Sequence, residues 1–372
     1  MSLHGPQDGP LATTLRSARP RPGSRALRRA SVMLAASTAV LVLATACTGG
    51  PAEPPTSGSP SGTASGTPAP SPTGSSAGDT VTVEHAQGTT EVPAGPEKVF
   101  VFDLGVLDSL NALGIQPDGV PDAPYPEELQ PVADGAEVRV GSLTEPDLDV
   151  IAKEEPDLII ISAATAEAYP ELSGIAPTID LSVDPSAPME SFTQNATALG
   201  EVFGREMQVQ AALSGIETKI EDARATLKDA GNTNGLVVMT GSGEITAFGP
   251  ESRFGLIHDV LGVPSATPVM AEGTDGAPAS PEFIADADPD NLFVIDEDAA
   301  LGRQGATAED VLDDDLVSGT KAARNGKVIY LDPADWYLVG YGLDNLHRVV
   351  NEVVNHVATA SPTGLGRDVS GT

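Results

Sequence analysis

Apolar side chains at Val209, Ala212, Leu213, Ile216, Ile220, Ala223 and Leu227 recur at steps of three and four, and Lys219, Glu221, Asp222, Arg224 and Lys228 fill positions between them. That spacing draws one apolar stripe along a helix and leaves the charges on its other side. The helix is predicted over residues 201–230, its clearest part running about six turns. Asp229-Ala-Gly-Asn-Thr-Asn-Gly235 stops it, because glycine and asparagine accept the positive φ angles that a helix end requires. On either side the pattern changes to short β-branched runs alternating with helical periods. The helix therefore reads as a strut between two α/β lobes, one over 79–200 and one over 231–372.

In the first lobe, 80–85 and 89–92 read as a hairpin around Gln87-Gly88, followed by strands at 98–102, 138–140, 156–162 and 178–182 and helices at 104–113 and 147–155. The second lobe repeats the scheme with strands at 236–240, 245–248, 291–296 and 327–332, a helical stretch at 254–261 and a final helix over 343–358. Leu346, Val349, Val350, Val353, Val354 and Val357 form the apolar side of that last helix. Alternation of this kind predicts mostly parallel sheets with helices on their faces. Ligands of open α/β sheets sit beyond the carboxyl ends of strands, which here carry Asp103, Ser162, Ser242, Asp296 and Asp332.

Residues 1–78 carry neither period. Arg16, Arg19, Arg21, Arg25, Arg28 and Arg29 precede an uncharged, mostly apolar run over 34–46 that closes in Ala44-Thr-Ala-Cys47. This resembles a bacterial lipoprotein signal, which implies a signal peptide at 1–46 and lipidation of Cys47. The apolar run is short for a span of about 20 residues. From 48 to 78 every residue except Glu53 is Gly, Ala, Pro, Ser or Thr. Such a segment has nothing to bury, so 47–78 is expected to be the lipidated cysteine and a disordered linker, holding the folded part about 30 Å from its anchor.

Charge narrows the partners. With 53 acidic and 20 basic residues the chain carries a formal −33, and loss of the signal arginines makes it more negative still. Nucleic acid and anionic lipid are repelled, so contact with the membrane is expected through the lipid anchor only. A single cysteine excludes an intrachain disulfide, a thiolate metal cluster and a cysteine redox pair. Gly241-Ser-Gly243 follows a strand but leads into another strand, which makes it a hairpin turn in place of a dinucleotide loop. No G-x-S-x-G, Walker loop or H-E-x-x-H occurs, and the five histidines are scattered.

Several longer motifs stand in order: Thr89-Thr-Glu-Val-Pro93, Pro96-Glu-Lys-Val99, Val140-Gly-Ser-Leu-Thr-Glu-Pro146 and Glu155-Pro-Asp-Leu-Ile159 in the first lobe. The second has Phe248-Gly-Pro-Glu-Ser-Arg-Phe-Gly-Leu-Ile-His-Asp259, Leu292-Phe-Val-Ile-Asp-Glu-Asp-Ala-Ala300 and Lys327-Val-Ile-Tyr-Leu-Asp-Pro-Ala-Asp-Trp-Tyr-Leu338. Over roughly 81–357 the chain resembles the ferric-siderophore-binding lipoproteins of ABC importers, in the branch with petrobactin-type and enterobactin-type receptors. The resemblance implies an α/β fold of the helical-backbone periplasmic-binding-protein class: two Rossmann-like lobes joined by one long connecting helix, with the ligand cleft between them. It implies that Arg253 is the pocket arginine and that Tyr337 is the tyrosine which ligates iron in some members. Phe254 and Trp336 are expected to offer apolar faces, and Glu145 and Glu282, one per lobe, to contact the permease. Asp275 and Glu297 stand where a histidine and an arginine are common, and Ala163-Ala164 where another arginine is common. A cleft with one base and added acids favours a neutral or weakly charged ferric complex, hydroxamate or mixed in type, over a tris-catecholate trianion.

The expected function is capture of a ferric siderophore outside the cytoplasm and its delivery to an ABC importer permease. No reaction is catalysed, no cofactor is intrinsic, Fe(III) enters only as cargo, and the protein is expected to be a monomer. A related ligand such as haem, cobalamin or a metal ion is the other binding reading. An exported α/β enzyme is the reading from another class, supported only by sheet topology.

Overall fold

The computed structural model describes residues 79–231, 233–269 and 275–358. The signal peptide 1–46, Cys47 and the linker that follows it lie outside the described residues.

The first lobe opens with an antiparallel hairpin of β1 (Thr80–His85) and β2 (Gly88–Pro93). Its sheet contains β3 (Val99–Val101), β4 (Gly119–Asp122), β5 (Val138–Ser142), β6 (Leu158–Ile161) and β7 (Thr178–Asp180), all parallel, in the order β5-β4-β3-β6-β7. Leu158, Ile159, Ile160 and Ile161 are each 0% exposed, as a strand covered on both faces demands. β4 escaped the sequence reading because Gly-Val-Pro-Asp has neither alternation nor an apolar run. Its glycine is required by packing, since a Cβ on Gly119 would lie 2.3 Å from the ring of Phe100.

The second sheet contains β8 (Gly235–Gly241), β9 (Glu244–Phe248), β10 (Ala277–Ala279), β11 (Asn291–Asp296) and β12 (Val328–Tyr330), in the order β10-β9-β8-β11-β12. β8, β11 and β12 are parallel, while β9 is antiparallel to both β8 and β10. Ser242 and Gly243 make the predicted tight turn between β8 and β9, with φ of 54° and 79°.

The helices that frame the strand ends and join the lobes are α1 (Leu104–Ala112), α2 (Pro188–Phe203), α3 (Glu206–Asp229), α4 (Pro281–Ala287), α5 (Glu297–Ala300) and α6 (Asn345–Ala358). The connecting helix is α3. It buries Val209, Ile216, Ile220, Ala223 and Leu227, worth about 1.5–3 kcal/mol for each large side chain fully removed from water. One side of it packs on α2 of the first lobe and another on α6 of the second. The predicted run from 201 is in fact broken at Gly204, which takes φ 62°. Val202 and Val209 are both buried and seven residues apart, so the apolar period runs through a break that only the backbone reveals. At the predicted helix 254–261 the chain instead makes a π-helical turn, Leu256–Val260, and a second one, Ala334–Val339, follows β12. Among the described residues no helix is long and apolar enough to cross a membrane.

Candidate functional site

The parallel strands deliver their carboxyl ends to one side of each lobe, and these ends face each other. Asp103 follows β3 and caps α1, accepting from the Val106 N–H at 2.8 Å, while its other oxygen accepts from Ser162 Oγ beyond β6 at 2.5 Å. Burial pushes its carboxyl above the usual range, and the hydrogen bonds and Arg253 of the second lobe pull it back. The charge on one lobe is thus felt by the strand end of the other.

In the second lobe, four side chains converge. Arg253 is exposed and sits over the Tyr337 ring, its guanidinium carbon 4.3 Å from the ring centre, and its Nη2 donates to the Tyr337 main-chain oxygen at 2.6 Å. The half-buried Tyr337 donates its hydroxyl to Glu297 Oε1 at 3.0 Å. Arg303 Nη1 approaches the same oxygen at 3.3 Å and Asp298 Oδ1 at 3.5 Å. Burial raises the Tyr337 phenol above its ordinary range, Arg253 lowers it, and Glu297 raises it further. The residues arrive there on wide turns: Tyr337 sits inside one π-helical turn and Arg253 stands just before the other, and such turns recur at functional sites.

Three expectations change. Phe254 and Trp336 offer no apolar face, because they are 2% and 5% exposed. Phe254 packs edge-on against Phe248 at 4.7 Å, and Trp336 Nε1 donates to Glu352 Oε2 at 2.8 Å. Their contribution is to seat the neighbouring Arg253 and Tyr337. Asp275 is exposed near β10, and among the described residues no hydrogen bond or ion pair joins it to the cluster. Glu297 is in the cluster, but it is not an uncompensated acid, since Arg303 accompanies it. Arg303 was missed. The only signal was that no other lysine or arginine occurs between Arg253 and Lys321.

Glu145 and Glu282 occupy related places. Glu145 is exposed in the turn after β5, where Ser142 N donates to its main-chain oxygen at 3.0 Å. Glu282 is exposed in the first turn of α4, after β10, and a Ser280 hydrogen bond holds it below the usual carboxylate range. β5 and β10 are the edge strands of their sheets. β10 runs with β8 because both are antiparallel to β9. The two glutamates therefore follow the carboxyl ends of equivalent edges.

A groove of about 820 Å³ runs between α2 and α3, away from these strand ends. Glu201, Glu206, Glu217 and Glu221 line it, and Arg224 there is tied to the Val260 carbonyl. Its acids would repel an anionic complex, so the strand ends are the better candidate site despite the size of the groove.

Residues 99–334 match the periplasmic binding protein family. The chain is 44% identical to the petrobactin-binding protein YclQ of Bacillus subtilis, over 74% of this chain and 87% of that one. The crystal structure of YclQ aligns with a TM-score of 0.72 over 76% of this chain and 99% of YclQ. The ferric-anguibactin-binding protein FatB of Vibrio anguillarum is 30% identical over 74% of this chain and 86% of its own. The catecholate-siderophore binding protein VctP of Vibrio cholerae aligns at 31% identity with a TM-score of 0.67, over 75% of this chain and 99% of VctP. Two lobes, a connecting helix, opposed strand ends and a match spanning most of the folded part lead to one conclusion: the chain belongs to the periplasmic binding protein family.

Proposed function

We propose that this protein captures a ferric siderophore outside the cytoplasm and hands it to an ABC importer. The observation that carries this reading is the cluster of Arg253, Tyr337, Glu297 and Arg303 at the strand ends, in a chain similar to siderophore-binding proteins along nearly their whole length. A binding protein needs charge, shape and hydrogen-bond donors at its cleft, and these residues supply them without an arrangement for turnover. Arg303 alters the expected ligand. Arg303 offsets Glu297, so a negative complex near Arg253 meets less repulsion than an unpaired acid would give, and catecholate donors are admitted alongside the hydroxamate and mixed types. The likeness to VctP supports the same widening.

Tyr337 is proposed to face the iron. With its phenol raised by burial and bonded to Glu297, it enters as a neutral hydrogen-bonding group. A trivalent ion with an open coordination position would favour the phenolate. The deciding experiment titrates the protein with a panel of ferric siderophores, ferric petrobactin first, following Trp336 emission and visible absorption. Saturable binding with a new tyrosinate-to-iron band, lost in Tyr337→Phe, is the expected result for ligands that leave iron incompletely wrapped. Failure of every ferric siderophore to bind overturns the reading.

Anchoring is proposed to depend on Cys47. The Cys47→Ser protein is expected to leave the membrane fraction, since the signal offers no second lipid attachment. Fractionation after an alkaline wash checks this, and equal membrane retention of both proteins would make the apolar run an uncleaved span.

A further inference from the structure

The lobes also meet where α1 reaches the N-terminal end of α6, the helix that packs on α3. Asp108 of α1 is 1% exposed, and its carboxylate is engaged by the second lobe. Oδ2 accepts from the main-chain N–H groups of Asp344 and Asn345 at 2.8 and 3.0 Å, and Oδ1 accepts from Arg348 Nη2 at 3.2 Å. A carboxylate of the first lobe thus stands at the N-terminus of α6, in the place an N-cap residue would take. Beside it, Leu343 N donates to Ser109 Oγ at 3.2 Å.

The same arginine reaches toward the candidate site. Arg348 Nε lies 3.1 Å from Asp335, two residues before Tyr337. Asn345, 0% exposed, donates from Nδ2 to the main-chain oxygens of Asp335 and Gly340 at 2.8 and 2.7 Å, closing the turn that carries Tyr337. Little slack remains. A Cβ on Gly342 would lie 2.4 Å from Asp108 Oδ2, and one on Gly105 would lie 2.4 Å from the Tyr341 oxygen and 2.6 Å from that of Val339. By contrast, α3 is bounded by Gly204 and Gly231, with φ of 62° and 109°, where a single helical tether could pivot.

We propose that Asp108 and Arg348 form a cross-lobe latch, a pair of positioning residues that fixes the angle between the lobes and holds the Tyr337 turn against the cleft. Its effect on affinity rests on the siderophore reading, but the latch itself does not. One planar guanidinium joins a carboxylate from each lobe, a geometry that lysine cannot reproduce with a single nitrogen. Removing Arg348 leaves the buried Asp108 carboxylate without its cation, whereas removing Asp108 leaves Arg348 paired with Asp335 and takes away the carboxylate that holds the Asp344 and Asn345 N–H groups.

The test is backbone hydrogen exchange of the full-length protein and of its Asp108→Asn, Arg348→Met and Arg348→Lys variants, with ferric petrobactin affinity measured in parallel. Amides 343–345, bonded across the seam, are expected to exchange at least about tenfold faster in Asp108→Asn and Arg348→Met, while β11 amides keep their protection. Arg348→Lys should fall between these and the wild type. Affinity is expected to drop about tenfold with the loosened seam. Unchanged exchange at 343–345, or loss of protection there only together with β11, overturns the latch. A loosened seam with affinity within about twofold of wild type overturns its control of the site. If the wild type binds no ferric siderophore, the functional reading fails and exchange alone judges the latch.

Discussion

Arg253→Ala is expected to weaken binding of an anionic ferric siderophore by about thirtyfold. The guanidinium has two tasks. It brings positive charge to the strand ends, and by sitting 4.3 Å over the Tyr337 ring and bonding the Tyr337 carbonyl it holds the phenol in place. Truncating one partner of a hydrogen-bonded charge pair buried in a complex costs about 2–5 kcal/mol, and Arg253, exposed in the free protein, is placed at the lower end. At about 1.4 kcal/mol per tenfold, 2 kcal/mol is the thirtyfold stated. Arg253→Lys should recover part of the loss, because it restores the charge but not the guanidinium's several donors. Calorimetric titration of the three proteins decides the matter. Affinity of Arg253→Ala within about twofold of wild type would remove this residue from the site.

Lysine at both Glu145 and Glu282 is expected to abolish ferric siderophore uptake by cells while leaving affinity in solution unchanged. Both carboxylates are exposed, neither joins the Arg253 cluster, and they follow equivalent edge strands of the two sheets. Paired acids in that arrangement suit a permease surface with two basic patches. Such complementary charge governs encounter and register more than it governs the cargo. Each single reversal should give an intermediate rate, since one of two contacts remains. Uptake of labelled ferric siderophore, set beside binding by the purified variants, separates the outcomes. Lost affinity would move these residues into the pocket, and normal uptake would leave them as ordinary surface acids.

Most of the framework was legible in the chain. The period of three and four in α3, the uniformly apolar Leu158–Ile161, and the glycine-marked turn after β8 each encode their element locally, because burial of a stripe or a run leaves a direct trace in residue order. The Gly204 break was not legible. The apolar period passes through it from Val202 to Val209, and a positive φ leaves no mark on hydrophobicity. β4 was invisible for the opposite reason: its place in the sheet is set by its neighbours β3 and β5, and its Gly-Val-Pro-Asp carries no strand pattern of its own.

At the site, the sequence by itself put Asp103, Ser162, Ser242, Asp296 and Asp332 at the carboxyl ends of strands, and its family resemblance singled out Arg253, Glu297 and Tyr337. Only the tertiary structure decided how they pair. Trp336 and Tyr337 are adjacent in sequence, yet the wide turn sends one ring into the core and leaves the other half-buried beside Arg253. Arg303 reaches Glu297 across the end of α5, and Asp108 meets Arg348 over a separation of 240 residues. Periodicity reports whether a side chain faces the interior, but the charge it meets there depends on how distant segments pack, as Asp108 and Arg348 show.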